Sequence, residues 1–209
     1  MSKKIILGAG LGLLLSAAAA QAAPITTPPQ TLSAIGNVTA VYVFADAGNT
    51  SLLNELMPAS ISEIFCNHSI GPCVGASAGD IMNLGPQNGI MQFSLHNTDT
   101  GSTFLSDTAD GDGNYHVLIS SNYADFNQGA LPGAADAVIT GLINSGLSVT
   151  YVGWEDLAAG QGSDFDYNDL IFAFANTTTQ RVPEPLTMSL FGAGLAGAAW
   201  AKRRKNKKS

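Results

Sequence analysis

The chain has 209 residues, including 23 glycines, and only 12% of its residues carry charge. Between residues 24 and 182, fifteen acidic side chains are accompanied by a single cation, Arg181, so this stretch has a net charge of −14 although the whole chain has −7. Such a body repels phosphate groups and anionic lipid, which excludes nucleic-acid binding. Divalent cations remain as the obvious counter-charge.

Residues 1–22 are predicted to be a secretory signal peptide. Lys3 and Lys4 precede an apolar run over residues 5–20, and residues 20–22 (Ala-Gln-Ala) have the small-x-small pattern of a cleavage site. The run is short for the hydrocarbon core of a bilayer, which is roughly 30 Å thick. We therefore expect a signal helix that is separate from the folded domain, and a mature chain outside the cytoplasm.

The body is predicted to be a single β-rich domain over residues 37–175, with linkers at residues 23–36 and 176–182. Its strand candidates are apolar segments rich in β-branched or aromatic side chains, namely residues 38–45, 90–95, 115–120, 147–154 and 170–175. Turn-rich loops join them without a βαβ rhythm. This pattern favours an all-β fold, either a β-sandwich or a jelly-roll-like fold, with one or two short helices.

Three further segments have other patterns. Residues 134–144 are compatible with a short helix. The pattern of residues 51–64 does not decide between helix and strand, although their apolar side chains could line one helical face. Residues 66–89 are rich in glycine and contain two prolines, so we expect a loop there.

Cys66 and Cys73 are the two cysteines of the chain. In an oxidising compartment, such a pair is expected to form a disulfide. The alternative is a metal site that adds His68, although no fourth ligand is evident. Residues 75–79 match Gly-x-Ser-x-Gly, the pattern of a hydrolase nucleophile elbow. No buried strand precedes this match, which disfavours an esterase.

The first acidic loop covers residues 107–114. Asp110, Asp112 and Asn114 match the first ligand positions of an EF-hand, but the glycine and glutamate positions of that motif are not filled. Three interpretations stay open: a separate Ca²⁺ loop, a part of the second acidic cluster, or an ordinary Gly/Asp turn. His116 is expected to lie at a strand edge or to orient a ligand carboxylate.

The denser acidic segment lies between residues 153 and 172. Five carboxylates and one asparagine amide are the candidate ligands within fifteen positions that lack Lys and Arg, namely Glu155, Asp156, Asp164, Asp166, Asn168 and Asp169. Ca²⁺ takes about six to eight oxygen ligands, and the small residues 158–163 would let both acidic ends reach one ion. We therefore predict Ca²⁺ as a cofactor of this segment and of the first loop; a solvated acidic turn is the alternative.

The C-terminus has three parts in a fixed order. The first part is the motif Val182, Pro183, Glu184 and Pro185. An apolar segment follows at residues 186–201. The last part is a group of six Lys and Arg within residues 202–208. The apolar segment would span roughly 24 Å as a helix, and the basic group would stay cytoplasmic. On physical grounds alone, this is a tail anchor.

The same three-part order, over residues 183–209, resembles the PEP-CTERM sorting signal of Gram-negative bacteria. The resemblance implies an exosortase-type protease as partner, which cuts near the Pro-Glu-Pro motif. It also implies a precursor held in the inner membrane only transiently, through a sorting helix at residues 186–201. The product is then secreted or reaches the cell surface. This class of proteins is linked to exopolysaccharide and biofilm production.

Residues 110–175 carry a second resemblance. An Asp/Gly loop with a histidine, a Trp-Glu-Asp-Leu segment and an Asp-x-Asp-Tyr-Asn-Asp-Leu-Ile-Phe segment occupy residues 110–116, 154–157 and 164–172. Together they are similar to the domain of unknown function numbered 4114. The resemblance implies a β-rich, Ca²⁺-binding module that accompanies secreted and PEP-CTERM proteins.

These features predict a secreted or cell-surface, Ca²⁺-binding module that is not an enzyme. Exopolysaccharide or other matrix components are its expected partners. One alternative is a carbohydrate-binding adhesin in which Tyr123, Trp154 and Tyr167 stack on sugar rings. Another is an extracellular hydrolase in which a pair such as Asp164 and Asp166 supplies acid and base.

Overall fold

A computed structural model describes residues 23–180 of the chain. The predicted signal peptide at residues 1–22, the sorting motif and the apolar segment at residues 186–201 lie outside this range. Over the described residues, no helix is long and apolar enough to cross a bilayer.

The described residues form eight strands and one α-helix, in the order β1 (Thr31–Ala45), β2 (Ser51–Met57), β3 (Phe65–Cys66), β4 (Ile81–Asn97), β5 (Thr103–Leu105), β6 (Val117–Ser120), α1 (Gly133–Asn144), β7 (Val149–Trp154) and β8 (Leu170–Gln180). Two 3-10 turns, Tyr123–Phe126 and Ala159–Gln161, complete the regular structure. Every strand pair is antiparallel. This architecture agrees with the predicted all-β class, and α1 agrees with the predicted helix.

The strands are hydrogen-bonded in the order β3-β2-β4-β1-β8-β7-β6, with β5 also paired to β4. In a flat sheet, β3 and β8 would lie about 19 Å apart, because neighbouring strands are separated by roughly 4.8 Å. Yet the rings of Phe65 on β3 and Phe172 on β8 are stacked, with centroids 5.9 Å apart. The sheet therefore folds over on itself. The more specific sandwich or jelly-roll type stays a prediction.

The sheet can fold over because the long strand β4 pairs with β1 in one half of the sheet and with β2 in the other. Its first part, up to Met91, pairs with β1, and its last part, up to Asn97, pairs with β2. Phe93 from the last part lies against Phe174 of β8, with ring centroids 4.7 Å apart. One hydrophobic core is thus enclosed between the two halves.

The other face of β1, β7 and β8 carries a second core. Successive side chains of a strand point to opposite faces, and Phe172 of β8 lies in the first core whereas Ile171 and Ala173 lie in the second. Helix α1 packs against the same three strands and contributes Ala135 and Ile139 to the second core. Burial on both faces explains why the late strands read as continuous apolar runs.

Several sequence predictions need correction. Residues 51–57, which left helix and strand open, are strand β2, and residues 81–89, expected to be loop, are the first half of β4. The predicted linkers are wrong at residues 31–36 and 176–180, which belong to β1 and β8. The reason is that these ends pair with each other, from Thr31 with Gln180 to Ala34 with Thr177. The other domain boundaries stay predictions.

The predicted disulfide is present. Cys66 and Cys73 are bonded, with their Cα atoms 6.3 Å apart. Ile70 and Cys73 exchange backbone hydrogen bonds inside the small loop that the disulfide closes. His68 is exposed in that loop, and with both thiols oxidised the alternative Cys/His metal site is excluded.

Candidate metal centre

The densest acidic group forms at the end of two paired strands. Trp154, the last residue of β7, pairs with Leu170, the first residue of β8. Glu155 and Asp156 therefore leave the sheet beside Asp169, which enters it. Antiparallel pairing thus brings together acidic residues that are thirteen or more positions apart in the sequence.

Glu155 is the buried centre of this group, with 0% of its surface exposed. Its carboxylate accepts hydrogen bonds from the backbone N–H groups of Phe165 and Tyr167 and from the Ser163 hydroxyl. Phe165 and Tyr167 both have left-handed backbones, with φ of 56° and 58°. That conformation is unfavourable for bulky residues. Here it is stabilised because the N–H groups face Glu155 while the two rings are buried in the second core.

Asp164 and Asp166 alternate with these two aromatic residues. One carboxylate oxygen from each of Glu155, Asp164 and Asp166 lies within 4.8 Å of the others. Asp164 is exposed and Asp166 is half-buried. Burial raises the pKa of Asp166 to about 6, and the negative charges of Asp164 and Glu155 add to the effect. Three carboxylates so close together repel one another unless a proton or a cation intervenes. We call these three residues the Glu155 cluster.

Asp169 and Asp156 lie beside the Glu155 cluster. Asp169 accepts a hydrogen bond from the Asp156 N–H, at 2.9 Å, and the Asp156 carboxylate accepts one from the Ser51 hydroxyl, at 3.1 Å. Burial raises the pKa of Asp169 to about 8, with further contributions from Glu155, Asp156 and Asp164. Asp156 also has a raised pKa, chiefly because it is buried.

Asn168, the sixth predicted ligand of this segment, supports Asp166. Its backbone N–H donates to Asp166 Oδ1 at 3.2 Å, and its side-chain amide nitrogen donates to Asp166 Oδ2. The amide nitrogen therefore faces the Asp166 carboxylate in this structure. Asn168 thus orients a cluster carboxylate.

The first acidic loop forms a different group. One atom each from Asp110, Asp112 and His116 lies within 4.8 Å of the others, and we call these three residues the His116 cluster. His116 Nε2 lies 3.2 Å from Asp112 Oδ2. That oxygen also accepts the Ala159 N–H at 3.0 Å, and Asp112 Oδ1 accepts the Asn114 N–H at 2.8 Å. Asn114, a predicted ligand, thus contacts the cluster through its backbone.

Asp112 responds to its surroundings in the opposite way from Asp166 and Asp169. Partial burial raises the pKa of Asp112, but the two backbone N–H donors and the neighbouring His116 outweigh burial, so the pKa is lowered overall. The His116–Asp112 contact is the one pairing of a basic side chain with a carboxylate among residues 23–180. Lys and Arg do not occur in that stretch of the sequence.

The two clusters are neighbours but remain separate groups. The Glu155 N–H donates to the His116 carbonyl at 2.9 Å, and Ala159, from the loop after Glu155, donates to Asp112. His116 is the residue that the sequence-based prediction undervalued. It is buried, with 1% of its surface exposed, instead of lying at an open strand edge. The available signal was its position four residues after Asp112, directly before an apolar strand.

Comparison with known proteins identifies one segment. Residues 181–205 match the family model of the PEP-CTERM protein-sorting motif. The match includes the predicted motif residues Val182, Pro183, Glu184 and Pro185 and lies outside the described part of the structure. No curated protein and no solved structure is detectably similar to the chain. The motif indicates export through an exosortase to the cell surface or the surroundings of the cell.

Proposed function

We propose that the exported domain is a Ca²⁺-binding module without enzymatic activity. The observation that carries this proposal is the Glu155 cluster, in which three carboxylates converge in a part of the chain without Lys or Arg. Carboxylate oxygens are the ligands that Ca²⁺ prefers. A bound dication would neutralise the repulsion that adds to burial in raising the pKa of Asp166 and, next to the cluster, of Asp169.

The roles of the residues follow from their contacts. Asp164 and Asp166 would supply ligand oxygens at the open side of the cluster. Glu155 would supply one from the buried side, because its three hydrogen bonds leave part of its acceptor capacity free. Asp169 lies close enough for its pKa to respond to Glu155 and Asp164, so it would contribute charge. Water and backbone carbonyls are the usual remaining ligands of Ca²⁺.

The resemblance of residues 110–175 to the domain of unknown function numbered 4114 is consistent with this proposal. Both clusters fall on the residues that carry the resemblance. Together with export through an exosortase, it favours a module that associates with exopolysaccharide or other matrix components. On this proposal Ca²⁺ holds the acidic loops rigid at the surface that meets the matrix.

The two alternative functions find less support. The aromatic residues considered for sugar stacking, Tyr123, Trp154 and Tyr167, are all buried. They are therefore not available as a stacking platform. For a hydrolase, a catalytic pair of carboxylates should lie about 5–10 Å apart across a cleft. In the Glu155 cluster the nearest oxygens of three carboxylates lie within 4.8 Å and Glu155 is fully buried, an arrangement that suits a shared ion better than a substrate held between two of them.

The Gly-x-Ser-x-Gly match also lacks the context of a nucleophile elbow. Residues 75–79 are irregular and lead into strand β4 instead of a helix. An elbow requires a strand, a sharp turn and then a helix. This supports a module without hydrolase activity.

The test of the proposal is a Ca²⁺ titration of the mature protein by calorimetry and thermal unfolding. Wild type should bind Ca²⁺ and gain thermal stability, whereas the Asp164→Asn/Asp166→Asn double variant should do neither. Asp136→Asn is the matched control, because Asp136 is an exposed carboxylate on α1. Equal Ca²⁺ responses in the double variant and wild type would contradict the proposal.

Matrix association needs a separate measurement. Purified protein is sedimented with exopolysaccharide isolated from the producing cells, in Ca²⁺ and then in excess chelator. We expect cosedimentation in Ca²⁺ and release by the chelator. Cosedimentation that is equal in both conditions would separate matrix association from the ion.

A further inference from the structure

We propose that the His116 cluster is a second cation site, selective for Zn²⁺ or a similar transition-metal dication over Ca²⁺. Its three side chains, Asp110, Asp112 and His116, bring one possible ligand atom each to within 4.8 Å of the others. The site is chemically distinct from the Glu155 cluster, which offers oxygen ligands alone. The inference does not depend on Ca²⁺ binding at that cluster.

The buried ring of His116 supplies a nitrogen to the cluster. With 1% of its surface exposed, the ring is almost fully buried. Its Nε2 atom lies 3.2 Å from Asp112 Oδ2, so Nε2 is the nitrogen that faces the carboxylates. Two ligands of one tetrahedral Zn²⁺, each about 2.0–2.1 Å from the ion, lie about 3.3 Å apart, so this spacing suits a shared ion. Nδ1, on the opposite edge of the ring, is buried without a hydrogen-bond partner among the described residues.

The ring is also held in place by its apolar neighbours. Phe104 stacks on it with ring centroids 4.2 Å apart, and Phe165 lies on it at 5.6 Å. The Asp112 carboxylate is fixed by the N–H groups of Ala159 and Asn114. Two of the three side chains are therefore oriented before any cation arrives, which lowers the entropic cost of binding.

Space is available next to these groups. Asp110 and His116 line a cavity of about 70 Å³. A single water needs roughly 10–15 Å³ by the same measure, so a cation with bound water fits. Because the cavity opens to solvent beside the exposed loop, a cation has a path of entry.

The ligand types decide which cation is bound. Ca²⁺ in proteins takes oxygen ligands, whereas imidazole suits Zn²⁺, Cu²⁺, Ni²⁺ and Fe²⁺. A combination of one imidazole with two carboxylates is a normal Zn²⁺ ligand set, with water in the open position. The His116 cluster therefore favours Zn²⁺, and the oxygen-only Glu155 cluster favours Ca²⁺.

The test is a Zn²⁺ titration of the whole mature protein in the presence of excess Ca²⁺, with Co²⁺ absorption as a spectroscopic probe. We expect binding of one Zn²⁺ and a Co²⁺ spectrum with a nitrogen ligand. Asp110→Asn should weaken Zn²⁺ binding at least tenfold. Because Asp110 is partly exposed, this variant is expected to fold, which keeps the test decisive even if His116→Gln does not.

Two controls separate this site from others. His68→Gln removes an exposed histidine beside the disulfide, and Asp164→Asn alters the Glu155 cluster; both should bind Zn²⁺ as wild type does. Unchanged Zn²⁺ affinity in Asp110→Asn would overturn the proposal. Loss of binding in His68→Gln would also overturn it, as would displacement of Zn²⁺ by millimolar Ca²⁺.

Discussion

The Glu155 cluster and the His116 cluster lie side by side and are both acidic, yet their carboxylates behave in opposite ways. Around Glu155, burial and like charge raise the pKa of Asp166 to about 6. Around His116, hydrogen bonds and the imidazole outweigh burial and lower the pKa of Asp112. Like charges that converge need a counter-charge from outside, whereas a carboxylate beside an imidazole and two N–H groups is already stabilised.

The largest expected effect comes from removing Glu155 itself. Glu155→Ala leaves two buried backbone N–H groups and the Ser163 hydroxyl without their acceptor. At about 1–3 kcal/mol for each unpaired group, we expect the free energy of unfolding to fall by more than about 3 kcal/mol. Urea unfolding measures this, with Glu63→Ala as the control, since Glu63 is exposed. Similar stabilities for the two variants would show that Glu155 does not organise the loop.

The second largest loss of stability is expected from substituting Gly153 of β7, which lies against the loop that carries the Glu155 cluster. A Cβ atom on Gly153 would overlap the Tyr167 carbonyl oxygen and the Phe126 ring. Gly153→Ala should therefore destabilise the protein by about 3 kcal/mol, the upper part of the usual range for overpacking, and weaken Ca²⁺ binding. Gly160→Ala is the matched control, because nothing lies within 4 Å of the added atom. Equal melting temperatures for both variants would argue against this close contact.

Ca²⁺ and pH should act together on the Glu155 cluster. Asp166 and Asp169 have pKa values raised from 3.8 to about 6 and about 8, so without cation the folded protein holds protons that the unfolded chain has released. Its stability should then fall as pH rises from about 4 to 8. The lowered pKa of Asp112 acts with the opposite sign, and only as pH falls below about 4.

Melting curves at pH 5 and pH 8, with Ca²⁺ or chelator, measure this coupling. Ca²⁺ at about 100 times its dissociation constant stabilises by about 2.7 kcal/mol, or roughly 5–11 °C for a domain of this size. The rise in melting temperature on adding Ca²⁺ should be larger at pH 8 than at pH 5. At pH 5, protons must first leave Asp166 and Asp169 before the cation binds. A gain that is independent of pH would show that the two acidic residues are not at the ion.

The smallest effects should have opposite signs in the two clusters. Without metal, Asp164→Asn should stabilise the protein by less than about 1 kcal/mol, because Asp164 is exposed and its charge is screened by solvent. The sign follows because this charge adds to burial in raising the pKa of both Asp166 and Asp169. Asp112→Asn should destabilise it by about 1 kcal/mol, since the charged acceptor of two N–H groups and His116 is lost. Urea unfolding in the presence of chelator measures the free energy of unfolding of both variants. Changes of the same sign would contradict the proposed electrostatic difference between the two clusters.

Local sequence patterns predicted the late strands and the helix closely. Strand β7 (Val149–Trp154) lies within the predicted residues 147–154, residues 170–175 lie on β8, and residues 134–144 lie on α1. The polar segment after residue 175 read as a linker, but its pairing with β1 makes it strand. Local polarity could not reveal this, because the partner strand is about 140 residues away in the sequence.

The acidic residues were identified from the sequence, but their grouping was not. Asp164 and Asp166, two positions apart in the sequence, do contribute oxygens to one cluster. The approach of Glu155 from another strand end, and the left-handed backbones of Phe165 and Tyr167, depend on hydrogen bonds that only the folded loop makes. His116 became part of a cluster because its loop turns back onto Asp112.

The amino-acid sequence alone specified the C-terminal sorting motif, the absence of Lys and Arg between residues 23 and 180, and the positions of most strands. These features depend on the composition and pattern of neighbouring residues. The way in which the sheet folds over through β4, and which carboxylates converge, depended on contacts between distant residues. Phe65 meets Phe172, and Trp154 pairs with Leu170. Such contacts form only when the whole chain packs, so the pattern of neighbouring residues does not encode them.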